Sequence, residues 1–490
     1  MAHKQELVQY LLEHHLLVTP DILSIIPDSF PKEQILQYVQ DYLDQHTAGT
    51  STVQVQVQEP PPTILPTPQP GTVQIIKNYT KDVKKSDVQS FVQYFRKRYD
   101  ALKSLLETRL ELQNSISINR VQKKGEGESV SIIGIVSEKN HTKNGNIMLQ
   151  IEDPSGIIKV LITKKNEELF TSANDLVLDE VIGITGMTGK DIVFCNHLYF
   201  PEIPLSHELK KAPDEAYAAF ISDIHFGIKD FLHDEFIKFT QWLNGDFGSA
   251  QQRDIAKKIQ YLFVTGDVVE GAGIYPGQDR DLAILDIQEQ YEEAARYFRK
   301  IPAHIKIIIC GGNHDAIRIS EPQPPLDTKI AAALHTLPNM IFVSNPATVN
   351  IHASATFPGF NVLMYHGYSV PFLAAEVPSI RAKGGQDRVD LIMQFILQRR
   401  HLAPSHGSNM YIPDTEEDPL VISAVPDIFV TGHIHRITAS NYRNVTMINS
   451  SCWVTQNENQ AKRGIVPYPA RIPLVNLRTR EIKIMNFNTD

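Results

Sequence analysis

Five short apolar runs in this chain each end in residue types that bind divalent metal ions. The runs are rich in Val, Ile and Phe, and this composition predicts buried β-strands. Side chains that follow the carboxyl ends of neighbouring parallel strands meet in one crevice of an open α/β sheet. The residues that follow the five runs are Asp223, His225, Asp267, Asn313, His314, His366, His433 and His435. We therefore expect these eight side chains to form one site, and their carboxylate, amide and imidazole groups suit manganese, iron or zinc.

The composition of the 490-residue chain is that of a globular protein with about two to four domains. Hydrophobic residues make up 42% and charged residues 21%, and no apolar stretch approaches the ~20 residues that a membrane span needs. The net charge of −9 argues against nucleic-acid binding by overall charge, although a local basic groove or bound cations can still hold phosphates. Three scattered Cys residues without a CxxC pair, together with the lack of a signal pattern, predict a cytoplasmic protein.

Composition and hydrophobic pattern divide the chain into four parts. Residues 1–45 combine a helix-start signal with helical apolar spacing and predict a small tethered docking module. Residues 46–78 are rich in Pro, Gln and Thr and predict an extended linker. Residues 79–205 predict a long helix followed by a β-barrel. Residues 206–490 alternate strands with predicted helices such as Asp234–Leu243, Asp281–Arg299 and Asp387–Arg400, as in an α/β layered domain.

The barrel is predicted from short, evenly spaced strands that are joined by tight turns, a pattern that favours a small Greek-key barrel of the OB type. Such a barrel can bind single-stranded nucleic acid through surface aromatics, of which this segment offers Phe170, Phe194, Tyr199 and Phe200. The alternative is a spacer or a subunit interface. The helix predicted from Ser86 is expected to be a packing helix with a solvated basic face, the alternative being a DNA-contacting helix.

The five metal-binding motifs differ in how specific they are. Asp-x-His, Gly-Asp and a lone His occur often by chance, and an Asp after a strand often only caps the next helix. The runs Gly312–Asp315 and Gly432–His435 are more specific, because adjacent Asn and His, or two His on alternate residues, are unusual at the end of a strand. All five occur in order at predicted strand ends, which favours a shared metal site over coincidence.

The ordered signature D-x-H, G-D, G-N-H-[DE], H and G-H-x-H resembles that of the calcineurin-like metallophosphoesterase superfamily, and every position is filled here. The resemblance implies a sandwich of two sheets flanked by helices and a pair of divalent ions, foremost Mn²⁺, with Fe, Zn or Ni as alternatives. It implies one ion held by Asp223, His225 and His435, a second held by Asn313, His366 and His433, and Asp267 bridging both. It further implies that His314, held by Asp315, stabilises the transition state or protonates the leaving alkoxide of a phosphoester.

Within this superfamily, the chain looks like the small subunits of the archaeal D-family DNA polymerases. The resemblance lies in the sequence that follows Gly266, in residues 399–407 and in the barrel before the esterase domain. Glu270 stands where Asp is more usual, and no Arg follows Gly266-Asp267, which counts against a protein phosphatase. The family implies a nucleoid-associated 3′–5′ proofreading exonuclease in complex with a large catalytic subunit and with DNA. A sliding clamp or another replication protein is a candidate partner of residues 1–45.

Several further residues are weaker candidates for substrate contacts. Arg318 follows the Asn313 loop and is expected either to reach a phosphate or to form a structural salt bridge. Tyr275 and Tyr368 lie close in sequence to ligand loops and are candidates for stacking on a terminal base. His401 flanks a segment that is either a DNA- or partner-facing loop or a solvated one.

Two other functions are compatible with the same motifs. One is a non-catalytic scaffold subunit of the polymerase whose metal site is vestigial. The other is a free-standing metallophosphoesterase that acts on small phosphomonoesters or cyclic nucleotides. The filled ligand positions argue against the first alternative, and the preceding barrel argues against the second, because a small-molecule esterase needs no barrel.

Overall fold

The computed structural model of the protein describes residues 72–82, 85–456 and 466–488. Contacts divide the chain into two units, Met1–Leu65 and Pro66–Asp490, and all described residues lie in the second. The predicted helical module and most of the predicted linker therefore lie outside the described residues. Within the described ranges, every helix is too short or too polar to cross a membrane.

The secondary structure alternates between strands and helices after an initial barrel. The strands are β1 Val73–Lys77, β2 Ser129–His141, β3 Ile147–Asp153, β4 Gly156–Ile162, β5 Val181–Gly189, β6 Ile192–Tyr199, β7 Tyr217–Ile221, β8 Ile259–Thr265, β9 Lys306–Cys310, β10 Met340–Phe342, β11 Ala347–Ile351, β12 Phe360–Met364, β13 Ile428–Thr431, β14 Thr438–Tyr442, β15 Val445–Asn449, β16 Arg471–Asn476 and β17 Ile482–Asn486. The α-helices are α1 Val88–Leu106, α2 Ile118–Val121, α3 Glu167–Asn174, α4 His233–Leu243, α5 Ala250–Ala256, α6 Ile287–Phe298, α7 Ala332–His335, α8 Val370–Glu376, α9 Pro378–Ala382 and α10 Val389–Arg399. Short 3₁₀ turns occur at Leu110–Leu112, Gln278–Arg280 and Gly385–Arg388.

Two six-stranded mixed sheets form the C-terminal domain. One sheet has the order β1-β11-β12-β13-β15-β14 and the other the order β10-β9-β8-β7-β16-β17. Strands β7 to β10 pair in parallel, as do β12, β13 and β15. The parallel strands are apolar along almost their whole length because both of their faces are buried, which is typical of parallel sheets.

The two sheets pack face to face and carry helices on their outer faces. An apolar core between the sheets includes Phe220 and Phe263, whose rings stack with centroids 5.0 Å apart. A second core joins the outer face of the β7–β9 sheet to α4, α5 and α6, and a third joins the other sheet to α8, α9 and α10. The domain therefore has four layers, and the predicted mixed α/β architecture is confirmed.

The predicted barrel is also confirmed as a closed five-stranded barrel with the order β2-β3-β4-β6-β5. All of its neighbours are antiparallel except β4 and β6, which pair in parallel. Helix α1 buries Tyr99, Leu102 and Leu106 against β2 and β5, and on another side it buries Tyr94 and Arg98. The partners of Arg98 belong to the four-layered domain, so α1 joins that domain to the barrel.

Two boundaries differ from the sequence prediction. The predicted linker of residues 46–78 ends in strand β1, which pairs with β11 at the edge of a sheet and has no Pro to interrupt its hydrogen bonds. Helix α6 begins at Ile287 and not near Asp281, because Asp286 caps its N-terminus by accepting hydrogen bonds from the backbone N–H groups of Gln288 and Glu289.

Candidate metal centre

The five predicted apolar runs form the cores of β7, β8, β9, β12 and β13, and the loops after these strands meet at one edge of the sandwich. In register, Ile221 lies beside Val264 in the parallel pair β7–β8, and Thr265 lies beside Cys310 in β8–β9. Because neighbouring parallel strands end at the same level, their following residues converge. The structure brings all eight predicted side chains to this edge.

Several of these residues have left-handed backbone conformations, which non-glycine residues adopt rarely. The residues with positive φ are Asp223 (50°), His225 (56°), Asp267 (50°), His433 (71°) and His435 (48°). Each lies two or four residues after the last residue of its strand. The tight turns point successive side chains back over the strand ends, where they meet the loops of neighbouring strands.

The first donor cluster contains Asp223, His225 and His435, whose ligand atoms lie within 4.8 Å of one another. The Nε2 atoms of His225 and His435 are 3.2 Å apart, and His435 Nε2 lies 3.4 Å from Asp223 Oδ1. Asp223 is fully buried and accepts hydrogen bonds from the Ser222 hydroxyl and from the backbone N–H of His433. The carboxylate is thereby fixed towards the two imidazoles.

The second donor cluster contains Asp267, His366 and His433, which also fall within 4.8 Å of one another. His366 Nε2 lies 3.2 Å from Asp267 Oδ2 and 3.0 Å from Asn313 Oδ1. The other ring nitrogen of His366 donates to the carbonyl oxygen of Thr265 at 2.9 Å, so Nε2 is the nitrogen that faces the cluster. A backbone carbonyl behind a histidine in this way is typical of metal-ligating imidazoles.

Asp267 also belongs to a third group of donors, together with His225 and His314. This carboxylate therefore lies between the first two clusters, with Oδ2 3.9 Å from His225 Nε2 and 3.2 Å from His366 Nε2. Its other oxygen accepts a hydrogen bond from the backbone N–H of His314 at 2.8 Å. The bridging role that the family resemblance implies for Asp267 stays a prediction.

Glu270 lies behind two imidazoles of the site and orients them, as its place in the family motif suggested. Its carboxylate oxygen Oε2 lies 2.8 Å from His225 Nδ1, and its backbone carbonyl oxygen lies 2.9 Å from His314 Nδ1. Gln278 holds Glu270 in turn by donating to its backbone and side-chain oxygens. The only signal in the sequence is a carboxylate three residues after Asp267.

The structure corrects the prediction that Asp315 holds the His314 ring. The Asp315 carboxylate instead accepts hydrogen bonds from the backbone N–H groups of Gly312, Val268 and Val269 and from the Tyr291 hydroxyl. Burial raises the pKa of Asp315 to about 6, and the nearby charge of Asp267 adds to this effect. Asp315 therefore shapes two loops of the site, whereas Glu270 contacts the His314 ring.

The site contains unusually strong electrostatic coupling between its own side chains. Burial disfavours the charged form of His366, but the carboxylate of Asp267 outweighs this effect and raises the pKa of His366 to about 10. Burial and the charge of His366 lower the pKa of His433 to about 3. The pKa of Asp267 is held well below its ordinary value, because the neighbouring His366 and His314 outweigh the opposing effect of burial.

Two glycines are required by the close approach of backbone to ligand side chains. A Cβ atom on Gly312 would lie 2.3 Å from Asp267 Oδ1, and a Cβ atom on Gly266 would lie 2.4 Å from His366 Nδ1. Gly266 also has a φ of 84°, which only glycine adopts without a steric cost. The G-D and G-N-H motifs therefore need their glycines for space as well as for the turn.

The weaker substrate candidates fall into two groups. The Tyr368 ring lies beside the centre, with its centroid 5.8 Å from that of His433. Arg318 donates to the carbonyl oxygen of Pro322, and the Tyr275 hydroxyl donates to Asp281 Oδ2 at 3.0 Å, so both have structural partners. The prediction that His401 lies in an exposed loop is wrong, because its side chain is buried.

The donor set fits divalent metal ions. Carboxylate oxygens, imidazole nitrogens and one amide oxygen converge, and mixed oxygen and nitrogen ligands suit manganese, iron, zinc or nickel. His225 and His366 both keep a backbone or carboxylate acceptor on the nitrogen that faces away from the cluster. Two clusters that share a neighbouring carboxylate, Asp267, can hold two ions side by side.

Comparison with known proteins connects this geometry to DNA polymerases. The family described as the B subunits of DNA polymerases alpha and epsilon matches residues 221–439. A DNA polymerase II small subunit from Methanothermobacter thermautotrophicus is 40% identical over 390 residues, which cover 80% of this chain and 78% of that protein. The DNA polymerase II small subunit from Archaeoglobus fulgidus is 36% identical over 423 residues, which cover 84% of this chain and 82% of that protein.

Two further similarities cover a smaller share of the other protein. The DNA polymerase II small subunit from Pyrococcus furiosus is 37% identical over 405 residues, which cover 82% of this chain but 64% of that protein. Among solved structures, asparaginyl-tRNA synthetase from Pyrococcus horikoshii is 21% identical over 17% of this chain and 22% of that chain, with a TM-score of 0.17. A structural similarity of this extent supports no conclusion about fold or function.

The matched residues 221–439 contain every strand end and loop that builds the donor cluster. The class defined by these relatives is the small subunit of DNA polymerases. The chain belongs to the family of DNA polymerase II small subunits. The predicted resemblance to the small subunits of the archaeal D-family polymerases is thereby confirmed.

Proposed function

We propose that this chain is the 3′–5′ proofreading exonuclease subunit of a replicative DNA polymerase and that it hydrolyses DNA phosphodiesters with two divalent ions, foremost Mn²⁺. The observation that carries the proposal is the convergence of three donor groups, the third of which shares His225 with the first and Asp267 with the second. A vestigial site has no reason to keep seven mutually oriented ligand side chains at one sheet edge, four of them (Asp223, His225, Asp267 and His366) buried. The proposal includes the calcineurin-like metallophosphoesterase fold for the four-layered domain and the OB type for the barrel.

When bound, the two ions would supply Lewis-acid activation of water and stabilise the charge that develops on the phosphoryl oxygens. In the proposed centre, Asp223, His225 and His435 would hold one ion, Asn313, His366 and His433 the other, and Asp267 both. Hydrogen bonds within the chain hold these groups in place. Ser222 and the His433 backbone N–H hold the carboxylate of Asp223, and Thr265 holds the ring of His366.

His314 is proposed to be the residue that donates a proton to the leaving 3′ oxygen or stabilises its charge. Its Nδ1 donates to the carbonyl oxygen of Glu270, so Nε2 is the nitrogen left to face a substrate. The ring is partly accessible, with 18% of the side chain exposed, and its backbone is tied to the bridging carboxylate of Asp267. A proton donor that is fixed on one nitrogen and open on the other suits general acid catalysis.

The partners proposed for the chain are the large catalytic subunit of the polymerase and DNA. The relatives are named small subunits, which implies a larger partner for those proteins. Helix α1 contacts both the four-layered domain and the barrel, and we propose that these two parts form most of the interface with such a partner. The proposed binding of a sliding clamp or another replication protein concerns residues 1–45, which lie outside the described residues.

The proposal can be tested with the purified full chain, Mn²⁺ and an oligonucleotide that carries a 3′ mismatch. We expect release of mononucleotides from the 3′ end, and loss of this release in His433→Ala, which lacks a ligand of the second cluster. His314→Ala should lower turnover by roughly 10²–10⁴-fold with an unchanged metal content, because it removes a proton donor and not a proposed ligand. Loss of metal in His314→Ala would show that this residue is itself a ligand.

The same experiment separates the alternative functions. A complex with the large subunit that binds metal but releases no nucleotide would support a scaffold with a vestigial site. Hydrolysis of small phosphomonoesters without cleavage of DNA would support a small-molecule esterase. A matched control is Lys300→Gln, an exposed change at the end of α6 that should leave nucleotide release unchanged.

A further inference from the structure

Beside the metal centre, an exposed aromatic ring lies close to two arginines. The ring of Tyr468 is 39% exposed. The guanidinium carbons of Arg436 and Arg471 each lie 5.1 Å from its centroid. These distances fall within the ~6 Å range in which a cation is attracted to an aromatic face. We call Arg436, Tyr468 and Arg471 the Arg-Tyr-Arg cluster.

The cluster is attached directly to the loop that carries a proposed metal ligand. The backbone N–H of Tyr468 donates to the carbonyl oxygen of His435 at 2.9 Å, and Arg436 is the next residue after His435. The Ser451 hydroxyl fixes the same segment by donating to the carbonyl oxygen of Tyr468. The cluster therefore lies at the side of the centre where the first donor group opens to solvent through His435, whose side chain is 13% exposed.

Within the described part of the chain, the charges of the cluster are incompletely neutralised. Arg436 forms one ion pair, 3.0 Å from the exposed carboxylate of Asp387. Among the residues that the structure describes, none forms an ion pair or a hydrogen bond with the side chain of Arg471. Two guanidinium groups near one ring repel each other, and this arrangement is stabilised when an anion binds between or beside them.

The chemistry of the cluster matches one class of ligand. An aromatic face beside arginines can stack on a nucleobase while the guanidinium groups bind the adjacent phosphates. An apolar partner would gain little from two charged groups, and a simple anion would not use the exposed ring. Tyr468 makes no aromatic contact with another ring within the described ranges, so core packing does not account for it.

We propose that the Arg-Tyr-Arg cluster binds the single-stranded end of a nucleic acid whose 3′ terminus lies in the metal centre. The ring of Tyr468 stacks on a base, and Arg436 and Arg471 contact phosphates of the same strand. This inference rests on the proposed exonuclease function for its biological meaning. Its physical content, a strand-binding surface beside His435, can be tested without any cleavage.

The test measures equilibrium binding of a fluorescein-labelled oligothymidylate to the full chain in EDTA by fluorescence anisotropy. Tyr468→Ala should weaken binding by about 5- to 150-fold, the effect of losing one stacked base, and Tyr468→Phe should bind like the original chain. Arg471→Gln should reduce the slope of log affinity against log salt by about 0.7, the value for one phosphate contact to a single strand. Lys300→Gln is the matched control, because it removes another cation that lies beside a ring, 5.0 Å from the Tyr297 centroid.

An oligonucleotide with abasic sites distinguishes stacking from damage to the fold. The Tyr468→Ala variant and the original chain should bind the abasic strand equally, since neither can stack on a missing base. Equal weakening of both strands, or unchanged binding of the base-bearing strand, would overturn the proposal.

The binding assay also separates this proposal from the proposed nuclease. If the original chain cleaves no DNA with any divalent ion but Tyr468→Ala weakens binding as expected, the strand-binding surface stands and the exonuclease proposal fails. If the chain cleaves DNA while Tyr468→Ala changes neither strand binding nor the KM for cleavage, the exonuclease proposal stands and the strand-binding proposal fails.

Discussion

A buried ion pair joins helix α1 to the four-layered domain, and its removal should be strongly destabilising. The side chain of Arg98 is 1% exposed, and its Nε donates to Asp418 Oδ2 at 2.7 Å. Asp418 has no exposed side-chain surface and also accepts hydrogen bonds from the Tyr94 hydroxyl and His401 Nε2, at 2.7 and 2.8 Å. The substitution Arg98→Met keeps an unbranched apolar side chain and removes the positive charge.

The size of the effect follows from the charge that remains. Asp418 would stay buried with neutral hydrogen-bond donors only. Burial raises the pKa of its carboxyl, but His401 and Arg98 outweigh this effect and hold the pKa below its ordinary value. Without Arg98, this pKa would rise. Breaking a buried pair from one side costs about 3–5 kcal/mol. The carbonyl oxygen of Pro404, which accepts from Arg98 Nη1, would lose its partner as well. We therefore expect the unfolding free energy to fall by about 3–5 kcal/mol at pH 8.

The loss should become smaller as the pH falls. Burial, together with the charge of Arg98, lowers the pKa of His401 to about 4, so this ring is neutral in the folded chain at pH 5.5. Its folded pKa is below the ordinary ~6.5, so its contribution to stability is complete above pH 6.5 and is lost as the pH falls towards 4. Without Arg98, the coupled pair of Asp418 and His401 can take up one proton, which neutralises the buried charge.

Urea unfolding of the full chain at pH 8 and at pH 5.5, followed by far-UV circular dichroism, measures both expectations. Arg96→Met is the matched control, because Arg96 is exposed on the same helix and the same substitution there should change stability by no more than about 0.5 kcal/mol. A loss below about 1 kcal/mol at pH 8 would refute the argument, since it would mean that water or another cation reaches Asp418. A loss of unfolding free energy that is larger at pH 5.5 than at pH 8 would also refute it.

Three further expectations concern the metal centre and its surroundings. Gly312→Ala should abolish manganese retention measured by mass spectrometry, because its Cβ would lie 2.3 Å from Asp267 Oδ1, whereas Gly407→Ala meets nothing closer than 3.7 Å and should retain the metal. Glu270→Gln should lower manganese affinity about 10- to 100-fold in a chelator titration, because the carboxylate that orients an imidazole is lost. Burial raises the pKa of Glu321 to about 7. Because the folded chain holds this proton more tightly than the unfolded chain, the free energy of unfolding falls as the pH rises from about 4 through 7. Glu321→Gln should therefore raise the urea midpoint at pH 8 and leave it almost unchanged at pH 4.5.

The strands that carry the site could be predicted from the sequence because their burial is unusual. Strands β7, β8 and β9 are covered on both faces, so their sequences are continuous apolar runs, which predict buried strands. Their parallel order then determines that Asp223, Asp267 and Asn313 leave at one edge. The convergence of the ligand types therefore followed from strand ends alone, without knowledge of any contact.

The partners of individual side chains could not be predicted in this way. Asp315 is adjacent to His314 in sequence, yet its side chain contacts backbone N–H groups of two loops, and the ring of His314 contacts Glu270. Which side chains meet depends on the turn conformations after each strand, which the apolar pattern does not encode. Strand β1 was missed for a related reason, because an edge strand is defined by the partner that it finds.

The backbone conformations of the site agree with the proposed metal centre. Left-handed φ values at non-glycine residues cost about 1 kcal/mol or more each, and five proposed ligands have them. A scaffold could relax these turns by replacing the residues with glycine, and it would gain stability because no ligand would be needed there. The chain keeps Asp and His at these positions and keeps glycine at 266 and 312, where any side chain would collide with a ligand. Both features add local strain or restrict the sequence, and the proposed metal centre gives each a physical reason, because it requires the ligand side chains to meet.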